Sequence, residues 1–216
     1  MKDFKVIEVK RSIFEDNNVD ADRLREQLKS EGTFLLNLMS SPGAGKTTTL
    51  KRTINMLKDE IKIGVMEADI DSDVDAQAIT DTGVRAIQIH TGGMCHLDAD
   101  MTRQGINEFG TKDLDLVFLE NVGNLVCSTK NAMILSVPEG DDKPLKYPLM
   151  FTISDVVLIN KCDTLSVFDD FSKKDVEERI HNLNPNAKVF FVSAKTGEGF
   201  EQWTDWLKNE LKIYSK

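Results

Sequence analysis

Apolar residues recur along the chain in two rhythms, and their alternation predicts most of the architecture. Short runs dense in Leu, Ile, Val and Phe begin at Leu35 and occur again at Ile61–Glu67, Val84–Ile89, Leu114–Glu120, Ala132–Val137, Asp155–Asn160 and Lys188–Val192. Such runs suit strands buried on both faces. Between them lie helical segments at Thr48–Leu57, Val74–Thr82 (stopped by Gly83), Leu97–Phe109, Lys173–Leu183 and Glu198–Leu211. An earlier stretch, Asp20–Lys29, carries Leu24 and Leu28 at i,i+4 and predicts a short amphipathic helix on the domain surface. Pro138–Pro148 is polar and rich in proline, and reads as a surface loop. Strands alternating with helices imply an α/β fold in three layers, a mostly parallel sheet of about seven strands covered by helices on both faces. Residues 1–30 are expected to form an N-terminal segment and residues 31–216 one domain, with no internal repeat or linker to divide it.

The first apolar run leads directly into chemistry. Leu35–Leu50 reads L-L-N-L-M-S-S-P-G-A-G-K-T-T-T-L, a strand, a glycine-rich turn, Lys46-Thr47 and a helix, which is close to the P-loop pattern. Within the expected cofactor-binding stretch Pro42–Thr48, small residues let the backbone N–H groups of Gly43, Ala44 and Gly45 turn inward around a phosphate. Lys46 supplies a cation for β- and γ-phosphates, the Thr47 hydroxyl a Mg²⁺ ligand, and the helix its positive end. Ser40 stands where the strict pattern has glycine, so the match departs at one position. Ligands of such sheets bind beyond the carboxyl ends of the strands, where every motif below also falls.

Composition narrows the partners. The formal net charge of −9 opposes nucleic acid or an anionic membrane, which require clustered cations. No apolar run approaches a bilayer span, and the first residues lack a signal-peptide block, so a cytoplasmic protein is expected. Three widely spaced cysteines make no disulfide framework and are candidate metal ligands or core residues.

Two further motifs address a nucleotide's base and its metal. Asn160-Lys161-Cys162-Asp163 follows a strongly apolar strand. The Asp163 carboxylate can accept from the N1–H and N2–H₂ of guanine, a donor pair that adenine lacks. The Lys161 stem can cover the base plane, Asn160 can tie loops together, and Cys162 is a small buried spacer. With Ser193-Ala194-Lys195 after the last strand, this resembles the guanine-recognition set of GTPases. Glu120 ends its strand and opens E-N-V-G, where GTPases commonly have Asp-x-x-Gly; it is expected on the Mg²⁺ side, and Gly123 at the γ-phosphate. Of the acids in the loop after the second strand, Asp69 at the strand end is the expected Mg²⁺-associated one. No catalytic base is evident, which points to slow intrinsic hydrolysis of GTP to GDP.

Cys95-His96 lies after the third strand and Cys127 after the fourth, at one expected edge of the sheet. Thiolate and imidazole suit Ni²⁺ or Zn²⁺, while adjacent Cys and His also occur as plain structural residues. Three ligands leave a tetrahedral site open to water or to a second copy across a two-fold axis. The segments G-G-M-C-H-L-D-A (Gly92–Ala99) and E-N-V-G-N-L-V-C (Glu120–Cys127) resemble the signatures of the hydrogenase nickel-insertion GTPases, the HypB family, over most of the chain from about Leu35 onward. The resemblance implies a GTP-dependent metallochaperone, dimeric when GTP-bound, with nickel or zinc on Cys95, His96 and Cys127. It also implies a nickel-accessory protein and the hydrogenase large subunit as partners. The Cys-Pro-His of the related urease nickel GTPases is absent, as are the Cys-x-x-Cys-Gly-Cys and His-rich stretches of some relatives. Ser41 replaces the early P-loop lysine of the wider class, so no such lysine is expected to cross a dimer. The competing expectations are a urease-type chaperone for another metalloenzyme and a non-catalytic metal-binding scaffold.

Overall fold

A computed structural model describes residues 5–8, 17–67, 73–90, 99–121 and 128–215. The strands are β1 (Lys5–Glu8), β2 (Phe34–Ser40), β3 (Ile63–Glu67), β4 (Arg85–His90), β5 (Leu116–Asn121), β6 (Lys130–Ser136), β7 (Val156–Asn160) and β8 (Lys188–Phe191). They form one sheet in the order β1-β4-β3-β5-β2-β6-β7-β8, every neighbouring pair parallel. The seven expected strands are present. The eighth, β1, lies at the sheet edge and reads K-V-I-E, only two apolar residues between charged ones.

The helices are α1 (Asn17–Glu31), α2 (Lys46–Leu57), α3 (Asp73–Thr80), α4 (Ala99–Phe109), α5 (Lys143–Lys146), α6 (Pro148–Thr152), α7 (Lys173–Leu183) and α8 (Phe200–Tyr214). β2 shows how the layers are assigned. Phe34, Leu36 and Leu38 pack with Leu50, Ile54 and Leu57 of α2 and with Phe200, Trp203 and Leu207 of α8. Leu35 points the other way, toward α1 and α4. Met39 joins Phe151 of α6 and Val176 and Ile180 of α7. Successive side chains thus enter opposite layers, which is why the strand is apolar throughout.

Two elements differ from expectation. The helix expected at Asp20–Lys29 is longer, α1, and it buries Leu24 and Leu28 against Ile106 and Phe109 while Asp22, Arg25 and Glu26 stay exposed. Truncating either to Ala removes a packed side chain, typically worth about 2–5 kcal/mol. The region read as a Pro138–Pro148 loop is largely helical: a 3₁₀ turn at Val137–Glu139, then α5 and α6. Its prolines occupy first-turn positions, where a missing N–H costs no helical hydrogen bond. Glu139 holds the start of this segment by accepting from the Ser136 N–H (2.8 Å) and hydroxyl (2.9 Å), with Lys143 Nζ 3.1 Å away.

Burial alone would raise the Glu139 carboxyl. The Ser136 N–H, Lys143 and the Ser136 hydroxyl outweigh it and hold the group below its ordinary 4.5. A folded value below the unfolded one contributes stability above the unfolded value and loses it as pH falls through the folded one. Glu139→Gln is therefore expected to lower stability by about 1–2 kcal/mol at neutral pH. Urea denaturation of both proteins should show this gap closing as pH is lowered through the carboxylate range; a gap independent of pH would contradict the assignment.

Candidate nucleotide-binding site

The turn between β2 and α2 needs glycine for two separate reasons. Gly43 and Gly45 have φ of 78° and 90°, a region open chiefly to glycine. At Gly45 a Cβ would also stand 2.5 Å from Asn160 Nδ2. Ser40, the departure from the strict motif, is buried at the end of β2, and its hydroxyl donates to Ser41 O at 3.1 Å. α2 opens at Lys46 with Gly45 as N-cap and no side-chain cap, so its first-turn N–H groups face the turn. Thr47 is half-buried there, and Pro42, Gly43 and Thr48 are exposed around a buried Ala44.

The base-recognition residues converge on this turn from two other strands. Asn160 Nδ2 donates to Ala44 O (2.9 Å) and its Oδ1 accepts from Ala194 N–H (3.0 Å). One carboxamide therefore joins the loops after β2, β7 and β8. Lys161 takes a left-handed conformation (φ 62°) and its Nζ reaches Gly43 O at 2.6 Å, drawing the stem along the site wall. Asp163 Oδ1 accepts from the Ser193 hydroxyl (2.7 Å), which itself accepts from Thr196 N–H (3.1 Å). Cys162 is buried, donates to Ile159 O, and its thiol is pushed up to about 11 by burial, as suits an inert spacer. Gly45, Thr48, Asn160, Lys161, Asp163 and Lys195 line a cavity of about 290 Å³. A wider crevice of about 570 Å³ lies elsewhere, beside Glu31, Arg85 and Asp113, and holds none of these motifs.

On the phosphate side, Lys46 Nζ lies 3.1 Å from Glu120 Oε1, with both side chains largely buried (13% and 4% exposed). Glu120 is in register with Leu38 on β2 and with Glu67 on β3, and Glu67 with Gln88 on β4. Glu67 is 1% exposed and Gln88 0%, so a buried polar row runs across three adjacent strands, β4, β3 and β5. Among the described residues neither amide atom of Gln88 has a hydrogen-bond partner. Glu67 and Glu120, in register on adjacent strands, bring hard oxygen donors of the kind that suit a magnesium ion to the side of Lys46.

Asp69, Gly123, Cys95, His96 and Cys127 lie outside the described residues. The strands that precede them are described. β3 ends at Glu67, β4 at His90 and β5 at Asn121, all at the edge where β2 enters the P-loop. Sequence reasoning missed two residues. Glu67 could have been found, since it ends an apolar strand as Glu120 does. Arg52 could not: its Nε donates to Ala194 O (2.8 Å) and its Nη2 to Lys195 O (3.1 Å), across more than half the chain.

Comparison with known proteins agrees with this geometry. The family profile described as CobW/HypB/UreG, nucleotide-binding domain, matches residues 34–191. The hydrogenase maturation factor HypB of Rhizobium leguminosarum bv. viciae is 41% identical over 215 residues, covering 96% of this chain and 72% of that protein. The hydrogenase/urease maturation factor HypB of Helicobacter pylori (strain J99) is 39% identical over 217 residues, covering 95% of this chain and 87% of that one. The crystal structure of HypB from Helicobacter pylori in complex with nickel superposes with a TM-score of 0.83 at 38% identity, covering 94% of this chain and 98% of that one. With the P-loop, the Asn160–Asp163 motif and the parallel sheet in place, the chain belongs to the CobW/HypB/UreG family of nucleotide-binding proteins and, within it, to the hydrogenase maturation factors HypB.

Proposed function

We propose that the protein is a GTP-hydrolysing metallochaperone that couples its nucleotide state to nickel delivery during [NiFe]-hydrogenase maturation. The observation that carries this reading is the buried Lys46–Glu120 pair. Lys46 heads the phosphate-binding helix, and Glu120 opens the short segment that runs through Gly123 to Cys127. Asp163, held by Ser193, selects guanine by accepting from its paired donors, and Asn160 keeps base loop and P-loop in one frame. Lys46 and the first-turn N–H groups of α2 bind the β- and γ-phosphates. Thr47, Glu120 and Asp69, with Glu67 behind them, would hold Mg²⁺, which neutralises charge on the phosphates. Gly123 meets the γ-phosphate through its backbone.

Nickel, the cargo, takes Cys95, His96 and Cys127; zinc would accept the same donors. Phosphates that engage Lys46 change the charge balance on Glu120, and the segment leading to Cys127 answers. Hydrolysis is slow, in keeping with motifs that offer no candidate base. A two-fold dimer forms in the GTP state, and the exposed apolar side chains Leu145, Tyr147, Leu149 and Val167 are available to a partner copy. The thiolate ligands need a reducing compartment, so the protein works in the cytoplasm, with a nickel-accessory protein and the hydrogenase large subunit as partners. No helix among the described residues is long and apolar enough to cross a membrane. The Helicobacter relative's description as a hydrogenase/urease factor favours a second reading, delivery to a urease-type enzyme as well.

Phosphate release from GTP with Mg²⁺ tests the enzyme directly. Asp163→Asn is expected to weaken GTP binding by about tenfold or more while sparing xanthosine triphosphate, whose exocyclic oxygen needs no carboxylate. Equal losses for the two nucleotides would remove the guanine assignment. Cys95→Ala and Cys127→Ala should each lose stoichiometric nickel in equilibrium dialysis and keep GTP affinity. Either variant retaining one nickel per protomer would show that the ligands lie elsewhere.

A further inference from the structure

The loop that carries Ser193, Ala194 and Lys195 is gripped by the phosphate helix. Arg52 lies on α2, and its guanidinium meets two consecutive carbonyls of that loop, Ala194 O through Nε and Lys195 O through Nη2. Its remaining nitrogen abuts Gly197, where a Cβ would stand 2.7 Å from Nη1. Its carbon centre sits 5.7 Å from the centroid of the Phe200 ring. The Gly197 N–H donates to Ser193 O (2.8 Å), so the seat for the guanidinium is part of the same turn. The peptide groups flanking Ala194 are therefore held on both sides, the N–H by Asn160 and the C=O by Arg52.

We propose that Arg52 is the positioning residue for base recognition, tying the helix that binds phosphate to the loop that orients Asp163 through Ser193. The proposal rests on the guanine-nucleotide reading above and adds to it a physical link between the two halves of the nucleotide. A fixed fork can serve two adjacent carbonyls at once, whereas a lysine ammonium on a flexible stem cannot hold the same pair in one geometry. Without the fork, water replaces it at the exposed Lys195 carbonyl and the turn loosens. Ser193 then no longer fixes the plane of Asp163, while the P-loop keeps Lys46 and its own glycines. The loss should fall on the base and spare the phosphates. A residue that only packed α2 against α8 would have no such selectivity, and that packing has its own bond, Trp203 Nε1 to Thr53 Oγ1 at 3.0 Å.

The test uses the whole chain as wild type, Arg52→Met and Arg52→Lys, with calorimetric titration of GDP, IDP (which lacks the guanine N2 donors) and inorganic tripolyphosphate, all with Mg²⁺. Arg52→Met, which keeps the stem over Phe200, is expected to weaken GDP by about tenfold, to shrink the GDP-over-IDP preference, and to leave tripolyphosphate within about twofold. Arg52→Lys should follow Arg52→Met for GDP despite its retained charge, and it carries the comparison alone if Arg52→Met does not fold. Parallel weakening of GDP and tripolyphosphate, or unchanged binding of all three, would overturn the role of Arg52. A wild type with no preference for GDP over IDP would instead overturn the guanine reading itself.

Discussion

A lysine and a glutamate that share one buried contact set the terms for the rest of the molecule. Lys46 and Glu120 come from different elements, the head of α2 and the end of β5, and meet only because β5 lies beside β2 in parallel register. Removing either partner leaves a charge in a poorly solvated place, a loss typically of about 3–5 kcal/mol. A second buried carboxyl side chain, Glu67, stands in register with Glu120 on the neighbouring strand. The proposed role follows from this grouping: phosphate would engage the lysine, and a magnesium ion the carboxylates.

The second half of the site is built from different bonds to the same frame. Asn160 spans from the P-loop to the loop after β8, and Arg52 spans from the phosphate helix to that same loop. Both use planar groups with fixed donor geometry, so the distance between phosphate and base subsites is set by hydrogen bonds rather than by packing alone. The left-handed Lys161 and the glycine required at position 45 are local consequences of that close approach. The strain of a non-glycine residue at positive φ is held by the Lys161 contact to Gly43.

How much of this could be read in the chain itself varies with the range of the interaction. Strands β2 to β8 and the helices over 46–57, 99–109, 173–183 and 200–214 were legible because their periodicity reflects two-sided or one-sided burial. The P-loop and the Asn160–Asp163 motif were legible because each needs particular residue types at fixed local spacing. β1 was not, because its four residues K-V-I-E hold only two apolar side chains between charged ones, whereas the apolar run of β8 continues into Val192. α5 and α6 were masked by prolines that mark helix starts as readily as loops. Arg52 depends on contacts between distant segments, which local pattern does not encode, whereas Glu67 was open to the same strand-end reading as Glu120. The assignments of Asp69, Gly123, Cys95, His96 and Cys127 rest on motif and resemblance, since those positions fall outside the described residues.

The proposed function stands on one coupling, in which the segment opened by Glu120 would respond to the phosphate state through Lys46 and pass it to the thiolate at Cys127. Such coupling is reciprocal and typically worth about 1–3 kcal/mol. The direct measurement is nickel titration of the protein held in two states, one with a non-hydrolysable GTP analogue and one with GDP, both with Mg²⁺. The account expects nickel affinities that differ by at least about fivefold, with nickel shifting the preference between the two nucleotides by the same factor. Nickel affinities that are identical in the two states would contradict it.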